Sequence, residues 1–187
     1  MNLKNIFSLN KKRLSRISLL VLEVDGVLTD GSLFYDRNGE ILKRFNVRDG
    51  LGIKLLQANN IEIAFLSGGS SSSTISRAEH LGIKHCFCKV KNKKIVIEKL
   101  MNNLNLKKTQ VAYAGDDLND LILKNNVSLF ISPANADKTI RKKSNILLKN
   151  KGGNGAVREI AELILNAQKK LEKYQKSGWA EKNWIVN

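Results

Sequence analysis

Short apolar runs alternate along the chain with amphipathic stretches. Residues 17–24 form a continuous run of β-branched and leucine-rich positions, which predicts a strand buried on both faces. Residues 61–66, 83–88, 110–114 and 127–131 repeat the pattern, and 144–148 allows a last strand. Between them lie helical patterns. One is capped by Asp49 and runs through Leu51, Ile53, Leu55 and Leu56; a Ser-rich stretch, 70–73, opens a second that ends at His80. Others cover 95–104, a stretch ending at Lys124, a short piece after Ser132-Pro133-Ala134, and a closing helix over 156–175. Strands and helices alternating at roughly 20–30 residues predict an α/β fold with a doubly wound, mostly parallel sheet. The exception is 32–46, where two short apolar segments flank Asp36-Arg37-Asn38-Gly39-Glu40. Asn38-Gly39 marks a β-hairpin arm, which cannot bury its apolar face alone and must pack on the domain or on a neighbouring subunit.

Composition narrows the class. The 187 residues, 42% of them apolar, suffice for one domain, with a core at about 17–165. A basic segment, 1–16, precedes it, and a helix and tail, 156–187, close it; the tail carries Trp179 and Trp184, which suggest docking on the body or on another subunit. No apolar run approaches the ~20 residues of a membrane span, and no small-residue cleavage site follows the first apolar run. The two cysteines, Cys86 and Cys88, are too close in sequence to bridge easily, which fits a cytoplasmic protein. With His80 and His85 they match no standard zinc spacing, and they read as small core residues. The net charge of +15 comes from lysines spread along the whole length, without a basic block interleaved with aromatics. It describes a solvated surface, and no nucleic-acid partner is expected.

Candidate chemistry collects where the apolar runs end. Glu23 and Asp25 close the first, Ser67-Gly68-Gly69 the second, a lysine of the 89–94 loop follows the third, and Asp116, Asp117 and Asp120 follow the fourth. Open α/β sheets bind ligands at this edge. Carboxylates from two strands suit Mg²⁺, and a hydroxyl, glycine amides and a lysine suit a phosphate.

This order resembles the haloacid dehalogenase superfamily and, within it, the capless 3-deoxy-D-manno-octulosonate 8-phosphate phosphatases. The resemblance rests on Val24-Asp25-Gly26-Val27-Leu28-Thr29-Asp30-Gly31, Phe45-Asn46-Val47-Arg48-Asp49-Gly50, Gly115-Asp116-Asp117-Leu118-Asn119-Asp120 and Gly152-Gly153-Asn154-Gly155-Ala156-Val157-Arg158-Glu159. It implies a single three-layer domain and phosphomonoester hydrolysis through an acyl phosphate, in the cytoplasmic route to lipopolysaccharide. The carboxylate at position 23 would attack phosphorus, and Asp25 would protonate the leaving oxygen and later activate water. Mg²⁺ would be held by Glu23, the Asp25 carbonyl and Asp116, with Asp117 and Asp120 completing or orienting the shell. Ser67, Gly68 and Lys93 would bind the phosphoryl group, Lys91 and Lys94 being neighbouring registers for the lysine. The resemblance also implies a homotetramer joined through the arms, with Arg158, and more weakly Arg48, meeting the acidic sugar phosphate from a neighbouring subunit.

The sequence departs from the family pattern in three places. Glu23 stands where the family has aspartate, and the extra methylene adds about 1.5 Å of reach. Gly69 stands where many relatives carry arginine, and Lys89-Val90 where relatives commonly have glycine. The alternative to a working phosphatase is an impaired one, kept for ligand binding or assembly because Glu23 replaces the nucleophile.

Overall fold

The computed structural model describes residues 3–69 and 71–179, with side chains from residue 9 onward. Ser70 and the second tryptophan of the tail, Trp184, lie outside them. A helix over the basic start, α1 (Leu3–Leu14), leads into β1 (Leu19–Leu22). The arm follows as β2 (Phe34–Tyr35) and β3 (Ile41–Leu42). Next come α2 (Val47–Gln57), β4 (Glu62–Leu66), α3 (Ser72–His80), β5 (His85–Phe87), α4 (Lys93–Asn103) and β6 (Val111–Ala114). After β6 run β7 (Leu129–Ser132), α5 (Lys138–Lys143), β8 (Ile146–Leu147), α6 (Ala156–Ala167) and α7 (Glu172–Ser177).

Six strands form one sheet in the order β5-β4-β1-β6-β7-β8, every pairing parallel. β1 sits in the middle because all four of its side chains are apolar and buried. Leu20 and Leu22 face a core shared with α2 and α6, whereas Leu19 and Val21 face a second core containing Ile97 and Leu100 of α4. Alternation along one strand thus places a core on each face of the sheet. The chain winds outward from β1 through β4 to β5, then returns to lay β6 on the other side of β1. That reversal makes the gap beyond the carboxyl ends of β1 and β6 the topological switch point. Leu22 pairs with Phe65 on one side and Ala114 on the other, so the residues after β1, β4 and β6 emerge at one level.

Several elements differ from the sequence expectation. Asp49 does not cap α2; Asn46 does, its side chain accepting from the Arg48 amide at 2.8 Å. Asp49 points from inside α2 to the start of α6, where it accepts from Arg158 N at 2.8 Å and Gly155 N at 3.2 Å. Residues Leu118–Leu123 form a 3-10 helix rather than an α-helix, and Asp117 and Asp120 cap that turn reciprocally. The closing helix is broken between α6 and α7, where Lys169 takes a left-handed φ of 59°. The basic start, for which no element was expected, is helical, and Leu14 at its end is fully buried. Trp179 packs against the core, as expected of a docked tail. Among the described residues no helix is long and apolar enough to cross a membrane.

Candidate active site

Glu23 leaves β1 with its amide bonded to the Ala114 carbonyl at 2.9 Å, so its position is set by the sheet. The chain then turns sharply: Gly26 takes φ +80°, and Thr29 N closes on the Val24 carbonyl at 3.1 Å. Only glycine fits at 26, since a Cβ there would strike the Asp116 carboxylate as well as strain the backbone. The loops after β1 and β6 therefore meet at close range.

Lys93 joins them. It opens α4, whose first turn is capped by Asn92, and its ammonium is buried between the Glu23 carboxylate and Asp120 Oδ1, the latter at 2.5 Å. Of Lys91, Lys93 and Lys94, it is Lys93, the one expected, that the structure brings to the carboxylates. Burial pulls its pKa down, but Glu23 and Asp120 outweigh that, and the net shift is upward. Burial raises the pKa of Glu23, against the pull of Lys93. Glu23 Oε1 also accepts from the amide of Val24 at 3.0 Å, so its carboxylate is folded back against its own backbone. Asp120 is fully buried and fully engaged. Its Oδ1 accepts from Lys93 and from the Tyr113 hydroxyl at 2.6 Å, and its Oδ2 from the amides of Asp116 and Asp117 at 2.9 and 3.2 Å. Four donors match the roughly four lone-pair positions of a carboxylate, which places Asp120 as a support for Lys93 and the turn. Asp117 accepts from Leu118 N at 2.7 Å.

Asp116 is pushed up to about 7, first by burial and then by the charges of Asp120, Glu23 and Asp117. Crowded carboxylates that resist ionisation describe a site short of positive charge, and their hard oxygens fit Mg²⁺. Among the described residues no three His, Cys, Asp or Glu side chains converge enough to enclose a metal unaided. Mg²⁺ does not require that; one or two carboxylates with waters and substrate phosphate suffice.

Ser67 is buried at the end of β4, with its hydroxyl accepting from Gly69 N at 3.2 Å. A Cβ at Gly69 would lie 3.4 Å from Asp25 Oδ2 and 3.8 Å from Ser67 Oγ, so the 67–69 turn faces Asp25 directly. Arg48 and Arg158 are not brought to these groups. They line a separate cavity of about 870 Å³ with Asn46, Asn154 and Glu162, and Arg158 Nε donates to Glu162 at 2.7 Å. Two participants were not legible as such. Tyr113 is a polar-tipped residue in a strand otherwise read as apolar, and Lys43, whose ammonium lies on Asp25, shares the inward face of the arm with Ile41.

A family model described as haloacid dehalogenase-like hydrolase matches residues 40–123. A 3-deoxy-D-manno-octulosonate 8-phosphate phosphatase from Yersinia pestis is 40% identical over 161 residues, 86% of each chain. The chain belongs to that phosphatase family. The member from Moraxella catarrhalis, solved with a magnesium ion, a phosphate ion and KDO, superposes with a TM-score of 0.88 at 34% identity, covering 95% of this chain and 100% of that one. The cobalt-bound member from Haemophilus influenzae superposes with a TM-score of 0.84 at 40% identity, covering 87% and 95%. Family, fold and capless architecture thus agree with what the motifs imply.

Proposed function

We propose that the chain is a Mg²⁺-dependent phosphatase that hydrolyses 3-deoxy-D-manno-octulosonate 8-phosphate through an acyl phosphate on Glu23. The observation that carries this reading is the meeting, at the switch point of the sheet, of Glu23 from β1, Lys93 from α4 and Asp116 from the loop after β6. The identity to the Yersinia pestis phosphatase, spread over 86% of the chain, does not favour the alternative of an impaired protein kept for binding.

Glu23, Asp116 and the Asp25 carbonyl would hold Mg²⁺, which supplies positive charge against the repulsion between a carboxylate nucleophile and a phosphate. Ser67 and Lys93 hold the phosphoryl oxygens. The Glu23 carboxylate forms the new bond to phosphorus as the bond to the sugar oxygen breaks, and Asp25 gives that oxygen its proton. Asp25 then takes a proton from water as the water attacks phosphorus and releases Glu23. The added methylene need not misplace the nucleophile, because the bond from Val24 N folds the longer side chain back rather than letting it project. Arg48 and Arg158, remote from Glu23 within one subunit, serve the sugar acid of a neighbouring site in a homotetramer, in the cytoplasm. Phosphate release should depend on Mg²⁺, be abolished by a chelator, and favour the sugar-acid phosphate over glucose 6-phosphate at least tenfold in kcat/KM. Equal rates on both sugars would contradict the substrate; release unaffected by chelation would contradict the metal.

A further inference from the structure

The arm does more than expose an apolar face. Along β3 and the two residues that follow it the positions alternate: Leu42 and Arg44 are exposed, whereas Ile41 and Lys43 turn inward. The Lys43 side chain is 2% exposed, and its ammonium lies 2.8 Å from Asp25 Oδ1 and 2.9 Å from Oδ2. Next to it, Arg44 meets Asp30 at 2.8 Å, and Ser73 of α3 donates to the Ile41 carbonyl at 2.8 Å. The returning strand is thereby pinned to the loop that carries Asp25 and to the helix that follows the Ser67 turn. A buried ammonium is tolerated only with a partner, and the Asp25 carboxylate is the partner this one has. Lys43 makes its hydrogen bond to Oδ2, while the buried Oδ1 has the ion-pair contact but no hydrogen-bond partner among the described residues, so the ammonium holds the position of that carboxylate.

We infer that Lys43 is a positioning residue for the phosphatase reaction, a lysine from the arm that aims Asp25 at the oxygen between phosphorus and sugar. This rests on the function proposed above. Lys43 keeps its own protons throughout; the proton delivered to the leaving oxygen comes from Asp25, and the one regained comes from water. A sugar alkoxide needs that proton to depart, whereas nitrophenolate leaves as a stable anion. Loss of aim should therefore damage one ester far more than the other.

The test compares kcat/KM of wild type, Lys43→Met and Lys43→Arg on 3-deoxy-D-manno-octulosonate 8-phosphate and on p-nitrophenyl phosphate, since kcat/KM reports steps up to the first bond cleavage. Lys43→Met should lose about 10²-fold on the sugar ester, the scale of a 1 Å misplacement, but less than tenfold on the aryl ester. Lys43→Arg should restore most of the sugar-ester rate. Equal losses on both esters, a rise in KM at unchanged kcat, or no loss would overturn the inference. A second readout does not require turnover: thermal unfolding of Lys43→Met, Asp25→Asn and the double variant. The two single shifts in Tm should sum to more than the shift of the double variant; additive shifts would overturn the pairing and the inference with it. A wild type that releases phosphate from neither ester would count against the proposed function, while the thermal cycle still decides whether Lys43 and Asp25 act together.

Discussion

Glu23 differs from an aspartate by one methylene, and its surroundings show how that length is accommodated. The carboxylate does not project from the strand end; one oxygen returns to the amide of Val24 and the other meets Lys93. The choice of residue was legible in sequence, but its conformation was not, because it depends on Lys93 arriving from a helix seventy positions later. Lys93 neutralises two buried carboxylates, and removing it leaves both without a counter-charge. Lys93→Met should lower the unfolding free energy by about 3–5 kcal/mol, measured by urea denaturation, and eliminate detectable phosphate release. A variant as stable as wild type would contradict the buried pairing. Asp120 illustrates the limit of reading acids as metal ligands: its spacing suggests one, but four protein donors occupy it.

At the scale of elements, the contact between α2 and α6 organises the segment before Arg158. α6 begins at Gly155, which has no side chain to cap it, and Asp49 supplies the missing acceptor from across the interface. Asp49→Ala should cost about 2 kcal/mol, the upper range for a lost cap. Burial raises the pKa of Asp49 from 3.8, so the folded state holds this proton more tightly than the unfolded chain does. The associated stability is complete below pH 3.8 and declines as pH rises through the higher folded value. Relative to Asp49→Asn, the wild type should lose stability as pH rises above 3.8; a difference flat with pH would contradict this. Asp49 was read as a local cap because it stands at a helix start. The real partner lies more than a hundred residues away, and no local pattern reports that distance. The break at Lys169 was equally hidden, since apolar periodicity continues across it.

Over the whole molecule, the sheet was the most legible feature. Each buried strand announces itself as an apolar run, and parallel winding follows from the alternation with helices. The order around β1 then fixes where Glu23 and Asp116 emerge. The arm was legible as a hairpin, though its strands are only two residues long, and its unpartnered face calls for a neighbour. Phe34 is 56% exposed and its cross-strand partner Leu42 53% exposed, on one face of the arm, an unusual surface for an isolated subunit. If this face joins subunits, wild type should sediment as a tetramer and the double variant Phe34→Ser with Leu42→Ser as smaller species. Identical sedimentation would remove the arm from the interface.

In the proposed reaction a glutamate at the end of β1 performs the nucleophilic step. Phosphate release from 3-deoxy-D-manno-octulosonate 8-phosphate with Mg²⁺ tests it most directly, in wild type, Glu23→Gln and Glu23→Asp. Wild type should release phosphate robustly, Glu23→Asp should retain that release, and Glu23→Gln should abolish it. A silent wild type beside a strongly active Glu23→Asp would contradict the nucleophilic role of Glu23.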